Sequence, residues 1–246
     1  MSMMNIVKIL SLMLQSNLFY FRNRKNIPKL MNIKSIYRYS DAQIEAITKI
    51  IDKKNIKIDN NLYEFINSNY ELPCPNYIKN SVLLRYGIKN ASWIETGTYI
   101  GDTTDFLSNF SKMVYSIEPS NELVHRAKIR FADKNNIKII HGLSENELPK
   151  LLDSPLLYKD DLNFWLDGHY SAGFTHKGPK DTPILEELAA IEKNIDRFNR
   201  IAVFVDDIRC FQPNSEYPDL VNLVAWANRN KLLWHIEYDI FVARSA

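Results

Sequence analysis

Short apolar runs alternate with longer mixed stretches along the chain from residue 91 onward. The runs are rich in β-branched and aromatic residues, which is typical of buried strands. They fall at 91–95, 113–118, 137–142, 162–167 and 200–207. The stretches between them, such as 102–112 and 182–195, are predicted to be helical. This alternation predicts an α/β fold, in which helices cover both faces of a parallel sheet.

The end of the chain departs from this alternation. Two further apolar runs, at 232–238 and 239–244, follow one another with almost nothing between them. Strands joined by so short a connection pair in the antiparallel direction. We therefore predict an antiparallel hairpin at one edge of the sheet.

The first part of the chain has a different pattern, and residues 1–74 are predicted to form an N-terminal helical extension. The segment 41–54 carries apolar residues at helical spacing. Pro73 and Pro75 then interrupt the pattern, because proline cannot continue a helix. We accordingly assign residues 75–246 to a second, α/β domain.

The N-terminal extension is basic and begins with an apolar stretch. Residues 1–60 hold eleven Lys and Arg against four Asp and Glu. Lys8 and Gln15 interrupt the apolar stretch before it reaches the roughly 18 to 20 residues of a membrane span, and no small-residue cleavage site follows. We expect no transmembrane segment. Four roles of the extension stay open: formation of a homodimer, a substrate lid, surface docking with peripheral membrane contact, and a solvated helical face. Cys74 and Cys210 form no CxxC motif, which favours a reducing, cytoplasmic setting.

A glycine-containing turn follows the first predicted strand, in WIETGTYIGDTTDFLS at 93–108. Gly97 and Gly101 fit neither the P-loop nor the dinucleotide fingerprint. Ligands of open α/β sheets bind beyond the carboxyl ends of the strands. Glu118 lies at such an end, that of the second strand, and its carboxylate can accept hydrogen bonds from both hydroxyls of a ribose. An adenosine-binding acid without a dinucleotide fingerprint favours S-adenosylmethionine over NAD, with Glu95 near the ligand's ammonium group. The alternative is that Glu118 is an ordinary solvated acid.

Three aspartates follow two other strands that we expect to be neighbours in the sheet. Asp167 ends the fourth strand, and Asp206 and Asp207 end the fifth. Carboxylates this close repel one another unless a cation lies between them, and their hard oxygen atoms select Mg²⁺, Ca²⁺ or Mn²⁺. One metal-free active-site acid with two capping or salt-bridged aspartates is the alternative. His169 is a candidate general base, with metal ligation or substrate contact as other roles.

These motifs together resemble a known family. The segments WIETGTYIGDTTDFL, VYSIEPS, FWLDGHYS and VFVDD are similar to those of class I S-adenosylmethionine-dependent methyltransferases, most of all to the macrocin O-methyltransferase type, which acts on sugars. The resemblance covers 75–246. It implies a Rossmann-like, doubly wound sheet of seven strands with an antiparallel last strand, and a magnesium ion held by Asp167, Asp206 and Asp207. One departure is that His169 stands where members of this group often carry a second acid.

The expected function is therefore transfer of a methyl group from S-adenosylmethionine to a sugar hydroxyl, with Mg²⁺, in polysaccharide or natural-product glycan biosynthesis. His169 and Asp167 are the expected catalytic residues. The residues expected to bind S-adenosylmethionine or its product S-adenosylhomocysteine are Glu95, Thr96, Gly97, Tyr99, Gly101, Thr103, Glu118, Pro119, Ser144, Asp167 and Gly168. A metal-free small-molecule methyltransferase and a non-catalytic docking protein are the alternatives. Nucleic acid is not an expected partner, because 75–246 has no N/D-P-P-Y/F motif.

Overall fold

The structure is a computed structural model, and it describes residues 65, 73–168, 182–212 and 217–246. The chain divides into two compact units, one of 1–78 with 236–239 and the other of 79–235 with 240–246. Nearly all of the predicted N-terminal extension, residues 1–74, lies outside the described residues, so its helical character and its roles stay predictions. His169 also lies outside them.

Helices and strands alternate through the described residues. The helices are α1 (Asn76–Tyr86), α2 (Asp102–Ser108), α3 (Asn121–Arg130), α4 (Ser144–Leu152), α5 (Ile184–Asn194) and α6 (Leu220–Arg229). The strands are β1 (Ser92–Thr96), β2 (Val114–Glu118), β3 (Ile137–His141), β4 (Asp161–Leu166), β5 (Arg200–Val205), β6 (Leu233–Glu237) and β7 (Ile240–Arg244). Each strand falls within a residue or two of its predicted position. Within the described segments, no helix is both long and apolar enough to span a membrane.

The strands form one seven-stranded sheet in the order β3-β2-β1-β4-β5-β7-β6. Strand β1 pairs with β2 and β4, β2 with β3, and β4 with β5, all in the parallel direction. Strand β7 runs antiparallel to β5. The Rossmann-like fold, with seven strands and an antiparallel last strand, is therefore confirmed.

The central strands are buried on both faces, which explains why they appear in the sequence as continuous apolar runs. Every residue of β1 and β2 is buried, and so are all residues of β4 and β5 after the first. Trp93 of β1 stacks on Phe204 of β5, with ring centroids 5.5 Å apart. The candidate site lies at the carboxyl ends of these buried strands.

Helix α2 is shorter than the predicted 102–112, and its own polar side chains explain where it ends. The hydroxyl of Ser108 and the amide of Asn109 both donate to the backbone carbonyl of Asp105, at 2.7 and 2.8 Å. Ser111 donates to the carbonyl of Leu107. Such local bonds satisfy the last carbonyls of a helix and favour its termination.

Candidate active site

The glycine turn brings two strand ends into close contact. Gly97 has a φ of +90°, and a Cβ built on it would lie 2.7 Å from the backbone oxygen of Asp167. The amide of Asp167 donates to the carbonyl of Thr96 at 3.2 Å. Only glycine combines this backbone conformation with this clearance. The end of β1 therefore touches the end of β4, at the point where the strand order reverses.

A glycine is required at position 101 for a structural reason. It caps α2 with a φ of +89°, and a Cβ there would lie 2.8 Å from the ring of Phe131, just after α3. The close contact at Gly101 is thus between the start of α2 and the residue that follows α3. Its predicted role in binding a cofactor remains a prediction.

Glu118 fastens the glycine turn to the end of β2. Its Oε2 accepts a hydrogen bond from the amide of Tyr99 and its Oε1 accepts one from the amide of Ser120, both at 2.9 Å. Tyr99 has a positive φ of 49° and its side chain is exposed. Each carboxylate oxygen has a further lone pair, so Glu118 can still accept from a ligand hydroxyl.

Glu95 lies fully buried beneath the glycine turn. Its Oε2 accepts hydrogen bonds from the hydroxyls of Thr104 at 2.5 Å and Ser116 at 2.6 Å, whereas its Oε1 has no partner among the described residues. Burial raises the pKa of Glu95 to about 8, against the lowering effect of these two hydroxyls. A cation next to Oε1 would favour the ionised form.

Thr103 stays a predicted cofactor residue, and its neighbour Thr104 is the one that contacts Glu95. Thr103 is half-buried in the first turn of α2, and Thr104 is fully buried. Adjacent helical residues point about 100° apart, so only one of the two can face the sheet. Pro119, another expected cofactor residue, accepts a hydrogen bond through its carbonyl from the His141 ring, with its Nε2 at 3.2 Å.

A second buried glutamate, Glu187 in the first turn of α5, was missed by the sequence prediction. It lies beside three expected cofactor residues, because a Cβ on Gly168 would be 3.2 Å from both Glu187 Oε1 and Thr96 Oγ1, and Ser144 is also near. Burial raises the pKa of Glu187 to about 7, against the lowering effect of the Ser144 and Thr96 hydroxyls. The only sequence signal was its place in the first turn of a helix that follows the fourth strand.

The structure brings the three predicted aspartates together. Asp167, Asp206 and Asp207 each offer one carboxylate oxygen, and these oxygens lie within 4.8 Å of one another. Asp206 and Asp207 are buried, and Asp167 is half-buried. Three hard oxygen donors at this spacing fit a divalent cation such as Mg²⁺, Mn²⁺ or Ca²⁺. We call these three side chains the aspartate cluster.

Two cationic side chains also contact the aspartate cluster. Lys79 Nζ forms an ion pair with Asp206 and lies 3.5 Å from Asp207 Oδ1. Arg209 Nη1 lies 2.5 Å from the same oxygen of Asp207. Burial lowers the pKa of Lys79, but the charges of the three aspartates outweigh it and keep the pKa above its usual value. Neither cation was predicted as part of the site.

A cleft opens between the ends of β4 and β5 and the start of α5. Asp167, Gly168 and Asp206 line one part of it, and Glu187 and Tyr217 line another. Burial raises the pKa of the Tyr217 hydroxyl, which therefore stays protonated at neutral pH. The cleft thus presents acidic groups and a phenol beside the aspartate cluster.

No protein-family model matches the chain, and no curated protein matches it. Among solved structures, the chain is similar to an O-methyltransferase from Bacillus cereus in complex with S-adenosylhomocysteine, with 16% identity, a TM-score of 0.48, and coverage of 81% of this chain and 96% of that one. An N-methyltransferase from Bradyrhizobium japonicum has 12% identity, a TM-score of 0.44 and coverages of 69% and 94%. An rRNA methylase from Streptococcus thermophilus has 17% identity, a TM-score of 0.41 and coverages of 70% and 96%. These similarities concern the fold.

Proposed function

We propose that the protein is an S-adenosylmethionine-dependent O-methyltransferase that uses Mg²⁺ and acts on a sugar hydroxyl. The observation that carries the proposal is the meeting of Gly97 and Asp167 at the switch point of the sheet, with acids on both sides of it. Ligands of doubly wound sheets bind at this point. The choice of a sugar as acceptor rests on the resemblance to the macrocin O-methyltransferase type.

The cofactor would lie across the ends of β1, β2 and β4. Glu118 has acceptor capacity left for the ribose hydroxyls, and it also holds the backbone of the turn in place. Glu95, whose Oε1 has no partner among the described residues, is the proposed contact for the ammonium group of the methionine part. The two acids would then contact the two ends of one ligand.

Methyl transfer is a displacement at carbon. The acceptor oxygen forms a bond to the methyl carbon, the bond from that carbon to sulfur breaks, and the hydroxyl proton passes to a base. Most of the acceleration comes from holding the two reactants in line. Asp167, Asp206 and Asp207 would hold a divalent cation, whose charge favours the ionised form of the acceptor hydroxyl. His169 is the proposed base.

A metal-free methyltransferase is a second candidate, and one contact favours it. The ammonium group of Lys79 already lies among the carboxylates that would bind the metal. A lysine can neutralise buried acids without a metal ion. In that case the aspartate cluster would be structural and chelation would leave activity unchanged.

Titration calorimetry with S-adenosylhomocysteine tests the proposal, first in Mg²⁺ and then in EDTA. We expect binding in both buffers. A screen of sugar nucleotides as acceptors, again with and without EDTA, then separates the two candidates. If S-adenosylhomocysteine bound in neither buffer, that result would exclude a methyltransferase and favour a docking protein with this fold.

A further inference from the structure

Lys79 places its ammonium group among the carboxylates of the aspartate cluster. It lies in the first turn of α1, and its side chain is only 12% exposed. Its ammonium group pairs with Asp206 and also lies near Asp207, so it lies between two of the three candidate ligands. A lysine ammonium group is a compact point charge, much like a small cation in its demands.

The charges of the described residues bear on what can bind to the cluster. Among these residues, the three carboxylates, Lys79 and Arg209 sum to a net charge of −1. A divalent ion added to that set would make it net positive in a buried place, which is unfavourable. If Lys79 leaves, the divalent charge balances the three carboxylates and Arg209.

Of the two cations, Lys79 is the one that can be displaced. Arg209 contacts Asp207 from two residues away in the same short turn, Ile208–Cys210, so its backbone holds it near that carboxylate. Lys79 reaches the cluster from a separate helix through a flexible four-carbon stem. Rotation of that stem withdraws the ammonium group and leaves the backbone of α1 in place.

We propose that Lys79 is a resident counter-ion of the aspartate cluster and that a divalent cation binds there by displacing its ammonium group. This rests on the proposed metal site. It makes Lys79 a positioning residue that keeps the acids close together before the metal binds. It also predicts that Lys79 weakens metal binding, because each binding event must break its ion pairs.

Calorimetry with Mn²⁺ on the whole 246-residue chain tests this competition. Lys79→Met keeps the length of the stem and removes the charge, and we expect it to bind Mn²⁺ at least about tenfold more tightly than the wild type. Lys79→Arg keeps the charge and should not tighten binding. Lys112→Met is the matched control, because Lys112 pairs with Asp160, a carboxylate outside the cluster. Equal Mn²⁺ affinity of Lys79→Met and the wild type would overturn the proposal.

A second measurement uses the wild type alone, in case Lys79→Met does not fold. Acetylation of lysines with acetic anhydride, mapped by mass spectrometry, should modify Lys79 faster when Mg²⁺ is present, because its amine then leaves the cluster. Lys112 should react equally in both buffers. Unchanged labelling of Lys79 would contradict displacement.

Binding of S-adenosylhomocysteine, measured on the same samples, separates this proposal from the proposed function. Cofactor binding with no effect of Lys79→Met on Mn²⁺ affinity would refute the displacement and keep the methyltransferase. Tighter Mn²⁺ binding by Lys79→Met without any cofactor binding would support the displacement and refute the methyltransferase. If neither protein bound Mn²⁺ while the cofactor bound, the displacement would be wrong and the metal-free candidate would stand.

Discussion

A Cβ placed on Gly97 would lie 2.7 Å from the backbone oxygen of Asp167. Gly97 follows β1 and Asp167 follows β4, so this contact joins the two strands on either side of the switch point. The obstacle is a main-chain carbonyl, which cannot rotate away as a side chain can. Any ligand at this crevice therefore meets a backbone whose position is closely fixed.

The first prediction compares two glycine substitutions. Gly97→Ala should lower the free energy of unfolding by more than about 2 kcal/mol, because a positive φ costs an L-residue about 1–2 kcal/mol before any clash. Gly101→Ala has the same φ but meets the ring of Phe131, which can move, so its cost should be smaller. Urea denaturation of both variants measures the difference. A larger loss for Gly101→Ala would contradict this account.

How far the sequence predicted this site depends on the kind of information each residue carries. The positions of the strands were predicted well because strand pattern is local, and parallel strands bring their carboxyl ends to one edge of the sheet. Asp167, Asp206 and Asp207 were placed together for this reason. Glu187 and Lys79 were missed, since a helical residue reaches the site only through the packing of its helix. The contact of Thr104 with Glu95 could not be predicted without knowing the rotation of α2 about its axis.

The second prediction concerns the pH dependence of stability. The pKa of Glu95 is raised to about 8 in the folded protein, against 4.5 for an ordinary glutamate. Between these values the folded state keeps a proton that the unfolded chain releases, so rising pH favours unfolding. The stabilisation is complete below about pH 4.5 and is lost as pH rises to about 8. Its full size is on the order of 3–5 kcal/mol.

Glu95→Gln tests this effect because it removes the titration and keeps an oxygen for Thr104 and Ser116. The unfolding free energy of the variant should fall less steeply than that of the wild type between pH 5 and pH 8. The slope is the measured quantity, and the Glu187 carboxyl adds a slope of the same sign in both proteins. Glu122→Gln, at an exposed acid of α3, should keep the wild-type slope. Identical slopes for all three proteins would show that Glu95 is ionised in the folded state.

The third prediction distinguishes a ligand-binding role of Glu118 from its structural role. Wild-type protein should bind S-adenosylhomocysteine about tenfold more tightly than its 2′-deoxy analogue, because the analogue lacks one hydrogen bond to the carboxylate. Glu118→Gln should lose most of this preference, and Glu122→Gln should keep it. If the role of Glu118 is purely structural, Glu118→Gln should weaken the binding of both ligands equally. That result in calorimetry would show that Glu118 does not contact the ribose.

The fourth prediction separates the aspartate cluster from ordinary ion pairs. Asp206 is buried and holds Lys79, so Asp206→Asn leaves a buried ammonium group with one carboxylate fewer. In EDTA, the free energy of unfolding of this variant should be about 3–5 kcal/mol lower than that of the wild type. Asp160→Asn breaks the pair with Lys112, whose side chain is 59% exposed, and should cost about 1 kcal/mol or less.

Metal addition gives the second half of this comparison. Mn²⁺ should raise the midpoint of thermal unfolding of the wild type and of Asp160→Asn by the same amount, since a ligand that binds only the folded state stabilises it. Asp206→Asn should show no such rise, because one of its three oxygen donors has been replaced by a neutral amide. If Mn²⁺ stabilised Asp206→Asn as much as the wild type, the ion would have to bind elsewhere. The contacts of the aspartates with Lys79 and Arg209 would then be those of the metal-free candidate.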